Sequence, residues 1–180
     1  MSVYRMLTKP LSDSDLRKIL GPDTKIIEYV QLNSYSDLNT LLPKPVDFVI
    51  ILYEEKKLSG HWTCLAKRNN LFSFFDSYGL SPDSELKWFS PKQKQLLGED
   101  KPLLSRLLQF KKYEYNKVDY QSHSPTTQTC GSHCALFLFL FQKFEINVNQ
   151  YNQIVNQIVK QTHESYDQIA SRFTDSILKQ

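Results

Sequence analysis

The chain has little cysteine, and what it has is badly placed for crosslinking. Three cysteines in 180 residues leave no even framework. Cys130 and Cys134 fall one helical turn apart, a poor place for an unstrained bridge. A disulfide-stapled secreted domain is therefore excluded, and a reducing compartment is expected. Met1 to Pro10 has no apolar core of signal-peptide length. Repeats, low-complexity blocks and glycine/serine linkers are all absent, so nothing divides the chain, and residues 1–180 read as one domain. Strong charge of one sign is also missing: 22 basic and 19 acidic residues leave a net +3. That balance requires no nucleic-acid partner, and the lysines at 92, 94, 101, 111 and 112 read as a solvated face. The longest apolar run, which follows Gly131, is too short to span a membrane.

What the chain does have is apolar and aromatic mass, 41% and 13% of residues, enough for a proper core and too much for disorder. The stretch from Thr127 to Phe141 begins polar and turns abruptly greasy. It reads as a buried helix with Cys130 at its start, where unpaired N–H groups and partial positive charge favour a thiolate. Gly131 would let a substrate backbone approach the sulfur. Upstream, His61–Lys67 and Leu71–Asp76 read as two strands of a hairpin turning at Arg68-Asn69-Asn70. In such a ribbon the start of the first strand lies near the end of the second, so His61 and Asp76 are brought together by the pairing itself.

The other elements follow from local signals. Leu11 to Pro22 is a short helix capped by Ser12 or Asp13 and stopped by Gly21-Pro22. Ile26–Val30 is extended, Asp37–Leu42 a helical turn, and Val46–Tyr53 a strand buried on both faces. Glu54–Gly60 reads as a charged connection and Ser81–Gly98 as irregular. Lys101–Phe110 reads as a helix, Lys112–Tyr120 as a strand and Gln121–Thr129 as a polar loop. Two amphipathic helices follow Asn149. The fold class is α+β, a mixed sheet packed on the buried helix that starts at the cysteine.

The residue set suits nucleophilic sulfur chemistry. A thiol needs an imidazole to hold or take its proton, and the imidazole needs a third group to fix its tautomer. Cys130, His61 and Asp76 fit those roles. An acyl transfer also needs donors for the developing oxyanion. The Cys130 backbone N–H is one; Gln121 has the reach to be the second, with Gln128 as the alternative. Trp62 is either a core aromatic or the roof of a substrate channel. Cys64 and Cys134 read as core packing. The Cys130, His133, Cys134 cluster is not a zinc site by its spacing, since near neighbours on one helix point apart and no second Cys/His pair exists. No cofactor or metal is expected.

His61-Trp62, Asp76-Ser77-Tyr78-Gly79, a glutamine in the later loop and Cys130-Gly131 opening an apolar helix together resemble the adenovirus-type maturation proteases, which are related to the SUMO and ubiquitin-like-protein proteases. The compact size is similar to the maturation proteases of virophages and Polinton-type viruses. The likeness covers about residues 11 to 145. It implies a papain-like, adenain-like fold and a viral cysteine endopeptidase that cuts capsid or other virion precursors after glycine. Cys130 would be the nucleophile, His61 the base and Asp76 its orienter. Gln121 would serve the oxyanion hole, with Trp62 and Gly131 at the substrate. Such an enzyme would work in the virion and the host-cell cytoplasm. Gln121 stands further from Cys130 than is usual in the family, and a rival alignment sets Gln128 before Cys134, which lacks the following glycine. An activating peptide or DNA has no evident counterpart here: no cysteine lies between 64 and 130 to tether the one, and the charge is too small to call for the other. Other readings are an isopeptidase acting on ubiquitin-like conjugates, an acetyltransferase, and a catalytically dead binding module.

Overall fold

A computed structural model describes residues 7–42, 44, 47–56 and 59–180. Five strands form one mixed sheet whose spatial order is the chain order. They are β1 (Ile26–Glu28), β2 (Phe48–Lys56), β3 (Ser59–Arg68), β4 (Leu71–Asp76) and β5 (Lys112–Tyr115). The central pairs β2–β3 and β3–β4 are antiparallel, and the edge pairs β1–β2 and β4–β5 are parallel. Seven α-helices lie wholly within the described residues: α1 (Asp13–Leu20), α2 (Leu38–Leu41), α3 (Pro91–Leu97), α4 (Leu103–Leu108), α5 (Cys130–Phe144), α6 (Val148–Thr162) and α7 (Tyr166–Leu178). The architecture is α+β, as the sequence predicts.

Strand β2 shows why the sheet is covered on both faces. Alternate side chains of a strand point opposite ways. Phe48, Ile50 and Leu52 join one core with Trp62, Cys64 and helices α5 to α7. Val49, Ile51 and Tyr53 join a second core with Leu65, Phe74 and α4. Helix α5 is apolar nearly all round because β3 and β4 lie on one side and α1, α6 and α7 on others. Phe137 stacks on Phe75 of β4 with ring centroids 4.8 Å apart, and each such buried side chain contributes about 1.5–3 kcal/mol.

Several boundaries differ from expectation. The strands run into the charged stretch after Glu54, reaching Lys56 and restarting at Ser59. Backbone pairing, with a bulge between Glu54 and Lys56, overrides the polar composition there. Val46, at the expected strand start, lies outside the described residues. The hairpin turn is two residues, Asn69-Asn70, with Asn69 left-handed at φ 54°. Ser81–Gly98 is not irregular: it holds a 3-10 turn at Ser84–Trp88 and helix α3. Ser90 forms a capping box with Gln93 and Pro91 opens the helix, a start signal present in the sequence. β1 ends at Glu28, where a 3-10 turn begins. β5 stops at Tyr115, because the chain then turns so that Asn116 can bond the backbone of Asp76.

Candidate active site

The β3–β4 register sets Asp76 opposite Thr63, one alternation along from His61, so both side chains share the face that carries Leu65 and Phe74. His61 Nε2 lies 3.0 Å from Asp76 Oδ1. Asp76 is wholly buried and His61 nearly so. Tyr78 N–H also donates to Asp76 Oδ1 at 2.8 Å, and the Tyr78 ring stacks on the imidazole with centroids 4.9 Å apart. Nε2 is thus committed, which leaves Nδ1 for the sulfur.

Cys130 is the first residue of α5 and hydrogen-bonds His61. The backbone amides of Trp62 and Gly131 also bond the sulfur. One helical turn on, Cys134 Sγ donates to the Trp62 carbonyl at 3.3 Å. The helix therefore grips β3 at the residue after the histidine, with one cysteine at the N–H and the other at the carbonyl of Trp62. Burial opposes a thiolate at Cys130, but the His61 hydrogen bond and charge, with the two amides, hold its pKa below the ordinary value. Burial equally opposes a charged His61, but the carboxyls of Glu85 and Asp76 outweigh it and hold its pKa well above the ordinary histidine value. Burial also works against the Asp76 carboxylate, yet His61 keeps its pKa low. The arrangement favours a thiolate–imidazolium pair with a carboxylate behind it.

The other expected residues lie around this centre. Gln121 is buried beside Tyr78: its Oε1 accepts from Ser77 Oγ at 2.8 Å, and its Nε2 donates to Tyr78 Oη at 3.0 Å and to the Thr127 carbonyl at 3.4 Å. Its amide is thus engaged. Gln128 is exposed, and its backbone N–H donates to the Leu7 carbonyl at 2.8 Å. Trp62 is buried, its indole N–H on the Leu11 carbonyl at 3.2 Å. Gly131 packs beneath it. A Cβ there would come within 3.1 Å of both Leu11 and Trp62, so the protein's own side chains, not only an approaching substrate, account for the glycine. A groove of about 1120 Å³ runs alongside, lined by Leu11, Ser12, Arg17, Gly60, Trp62 and Gln128 among others.

Two supporting groups had no clear sequence signal. Glu85, from the 3-10 turn, sits 3.4 Å from His61 Nε2 and is fully buried. Among the described residues, His61, Asp76 and Glu85 form the one group whose metal-type donor atoms all lie within 4.8 Å of one another. A histidine–carboxylate hydrogen bond already occupies its centre, so the group reads as proton-sharing. Asp167, from α7, accepts from Ser122 N–H at 2.9 Å, from His133 Nε2 at 3.0 Å and from Thr129 Oγ1. It ties both ends of the loop leading to Cys130. His133 is thus turned toward Asp167 and Cys134 toward Trp62, which removes the zinc cluster as geometry too.

The family model of the adenovirus endoproteases, Peptidase_C5, matches residues 41–180. A Sputnik virophage protein, titled "Uncharacterized protein V9", is 30% identical over 167 residues, which cover 91% of this chain and 93% of the relative. No helix among the described residues is long and apolar enough to cross a membrane. With a family match over most of its length, this chain belongs to the adenovirus endoprotease family of viral cysteine proteases.

Proposed function

We propose that this protein is a maturation endopeptidase that cuts capsid or other virion precursors after glycine, with Cys130 as nucleophile, His61 as acid–base and Asp76 as its orienter. The observation that carries this is the hydrogen-bonded series Cys130–His61–Asp76, buried at the start of an apolar helix. The thiolate attacks the scissile carbonyl, and negative charge moves to its oxygen. The Cys130 amide is one donor for that oxyanion. Gln121 is the second, provided a substrate draws its amide away from Tyr78. As the intermediate collapses, the C–N bond breaks and His61 gives its proton to the leaving amine. Water, deprotonated by the now neutral His61, then attacks the thioester, which releases the new carboxylate and restores the thiolate.

Trp62 borders the groove beside the start of the helix that carries Cys130, where a narrow passage would favour glycine at the cut bond. The groove beside Trp62 suits an extended precursor segment. A virophage relative supports action in a virion or viral factory.

The test is co-expression with the capsid precursor of the same genome, reading cleavage by mass. Wild type should cut and Cys130→Ala should not, with activity down by at least about 10³-fold. Cutting by Cys130→Ala removes the nucleophile. Cleavage of a ubiquitin-like fusion but of no virion protein removes the substrate class.

A further inference from the structure

The carboxyl of Glu85 is out of place by ordinary rules. It is 1% exposed, and beyond the His61 ring at 3.4 Å neither of its oxygens has a hydrogen-bond partner among the described residues; Asp76 Oδ2 is equally without one. Yet the two carboxyl groups lie side by side, with an oxygen of each within 4.8 Å of the other. Two carboxylates cannot bond each other, and two buried anions this close cannot both persist. One proton between them resolves the orphaned oxygens and the repulsion together.

We propose that Glu85 is a positioning residue for this reaction: a neutral carboxylic acid whose O–H donates to Asp76 Oδ2 and so holds that carboxylate against His61. The inference rests on the Cys130–His61–Asp76 reading and adds a fourth member behind it. Which of the two acids keeps the proton follows from their partners. Asp76 accepts from His61 and from the Tyr78 amide, both of which favour its charged form. Glu85 has no backbone donor, and burial, against the pull of His61, pushes its pKa up to about 9. The groups that face it are His61, Asp76, Cys130, Tyr78 and Tyr53. At neutral pH, then, Asp76 carries the negative charge that holds the imidazolium, and Glu85 adds its own pull on His61 only as it ionises toward about 9.

The turn that carries Glu85 is itself pinned. Asp83 begins it in a left-handed conformation, φ 64°. Its carboxylate accepts from Tyr29 Oη at 2.7 Å and from the Leu104 and Ser105 amides at the start of α4. Its own N–H donates to Tyr53 Oη at 3.3 Å. A fixed donor of this kind can lock Asp76 in one rotamer, as a mobile side chain cannot.

Two readouts test this without a substrate. Carbon-13 NMR of glutamate side-chain carboxyls at about pH 7 should show, besides a Glu99 signal that is still titrating, a resonance in the protonated-acid range that disappears in Glu85→Gln. A Glu85 resonance at the carboxylate position overturns the proposal. The rate of Cys130 alkylation by iodoacetamide at the same pH reports the thiolate–imidazolium pair. Glu85→Met, which keeps the shape but has no donor, should slow it roughly 10-fold or more, and Glu85→Gln, whose amide still donates, should restore it to within about 3-fold. Equal rates in all three proteins overturn the role of Glu85 and leave the triad standing. A wild type whose Cys130 reacts no faster than a free thiol sinks the triad reading instead. If Glu85→Met fails to fold, the NMR comparison of wild type with Glu85→Gln still decides.

Discussion

Burial alone would make Cys130 a poor nucleophile, because a thiolate surrounded by protein loses its hydration. The neighbours reverse that. His61 and two backbone amides stabilise the charged sulfur, while Asp76 stabilises the charged ring. The two shifts run in opposite directions, the thiol down and the imidazolium up, so the pH range in which both charges coexist is widened at each end. Alkylation of Cys130 should therefore reach its plateau below the ordinary cysteine value of 9.0, and His61→Ala should return the titration upward; an unshifted profile in wild type contradicts the ion pair. At this scale the sequence is legible where chemistry and spacing coincide. Cys130 stands where a polar stretch turns apolar, and His61 and Asp76 stand at matching ends of a hairpin. Glu85 is illegible, because an acid in a polar, proline-containing stretch reads as solvated until a fold closes over it. Gln121 is half legible: its position near the site follows from the loop, but the bonds that now occupy its amide come from Ser77 and Tyr78, which belong to a distant strand end.

Helix α5 delivers the sulfur, and Asp167 of α7 holds the loop that feeds it. Burial opposes the Asp167 carboxylate, but His133 and Thr129 lower its pKa, and Ser122 adds a third bond. A folded-state pKa below the unfolded one means stability that is present above the ordinary aspartate value of 3.8 and is lost as pH falls through the folded value. Asp167→Ala strands two buried donors, on Thr129 and His133, and releases the Ser122 amide, and should cost about 3 kcal/mol, measured by urea unfolding near neutral pH. It should also lower turnover, since Thr129 directly precedes Cys130; an unchanged midpoint denies the clamp. Helix α5 is legible from the length of its apolar run, and α6 and α7 because their apolar periodicity extends over several turns. The short edge β5 is not. Its alternation continues past Tyr115, but Asn116 leaves the ladder to bond the Asp76 backbone, a tertiary demand that no local pattern announces.

The sheet divides the described residues into two cores, and the reactive groups gather where the strands end, with Cys130 at the margin of the first core. That sheet reads from the sequence in its centre, where β2 to β4 are continuous and apolar, and less at its rim. The rim carries another buried acid. Glu99, 1% exposed, accepts from the Glu54 amide at 3.0 Å, yet its second oxygen has no partner. Burial pushes its pKa up from 4.5 to about 7. For an acid, that sign means the folded state is favoured fully below 4.5 and loses ground as pH rises from there through about 7. Glu99→Gln should remove this loss, so its thermal midpoint should exceed that of wild type by more at pH about 8 than at pH about 4; a difference independent of pH rules the account out.

The grip of Asp167 on Thr129 and Ser122 also bears on timing. The anchor lies in the final helix, far downstream of the sulfur it steadies. A chain leaving the ribosome carries His61, Asp76 and Cys130 before that anchor emerges. The loop that feeds the sulfur therefore stays untied until the helix bearing Asp167 has followed it out and docked.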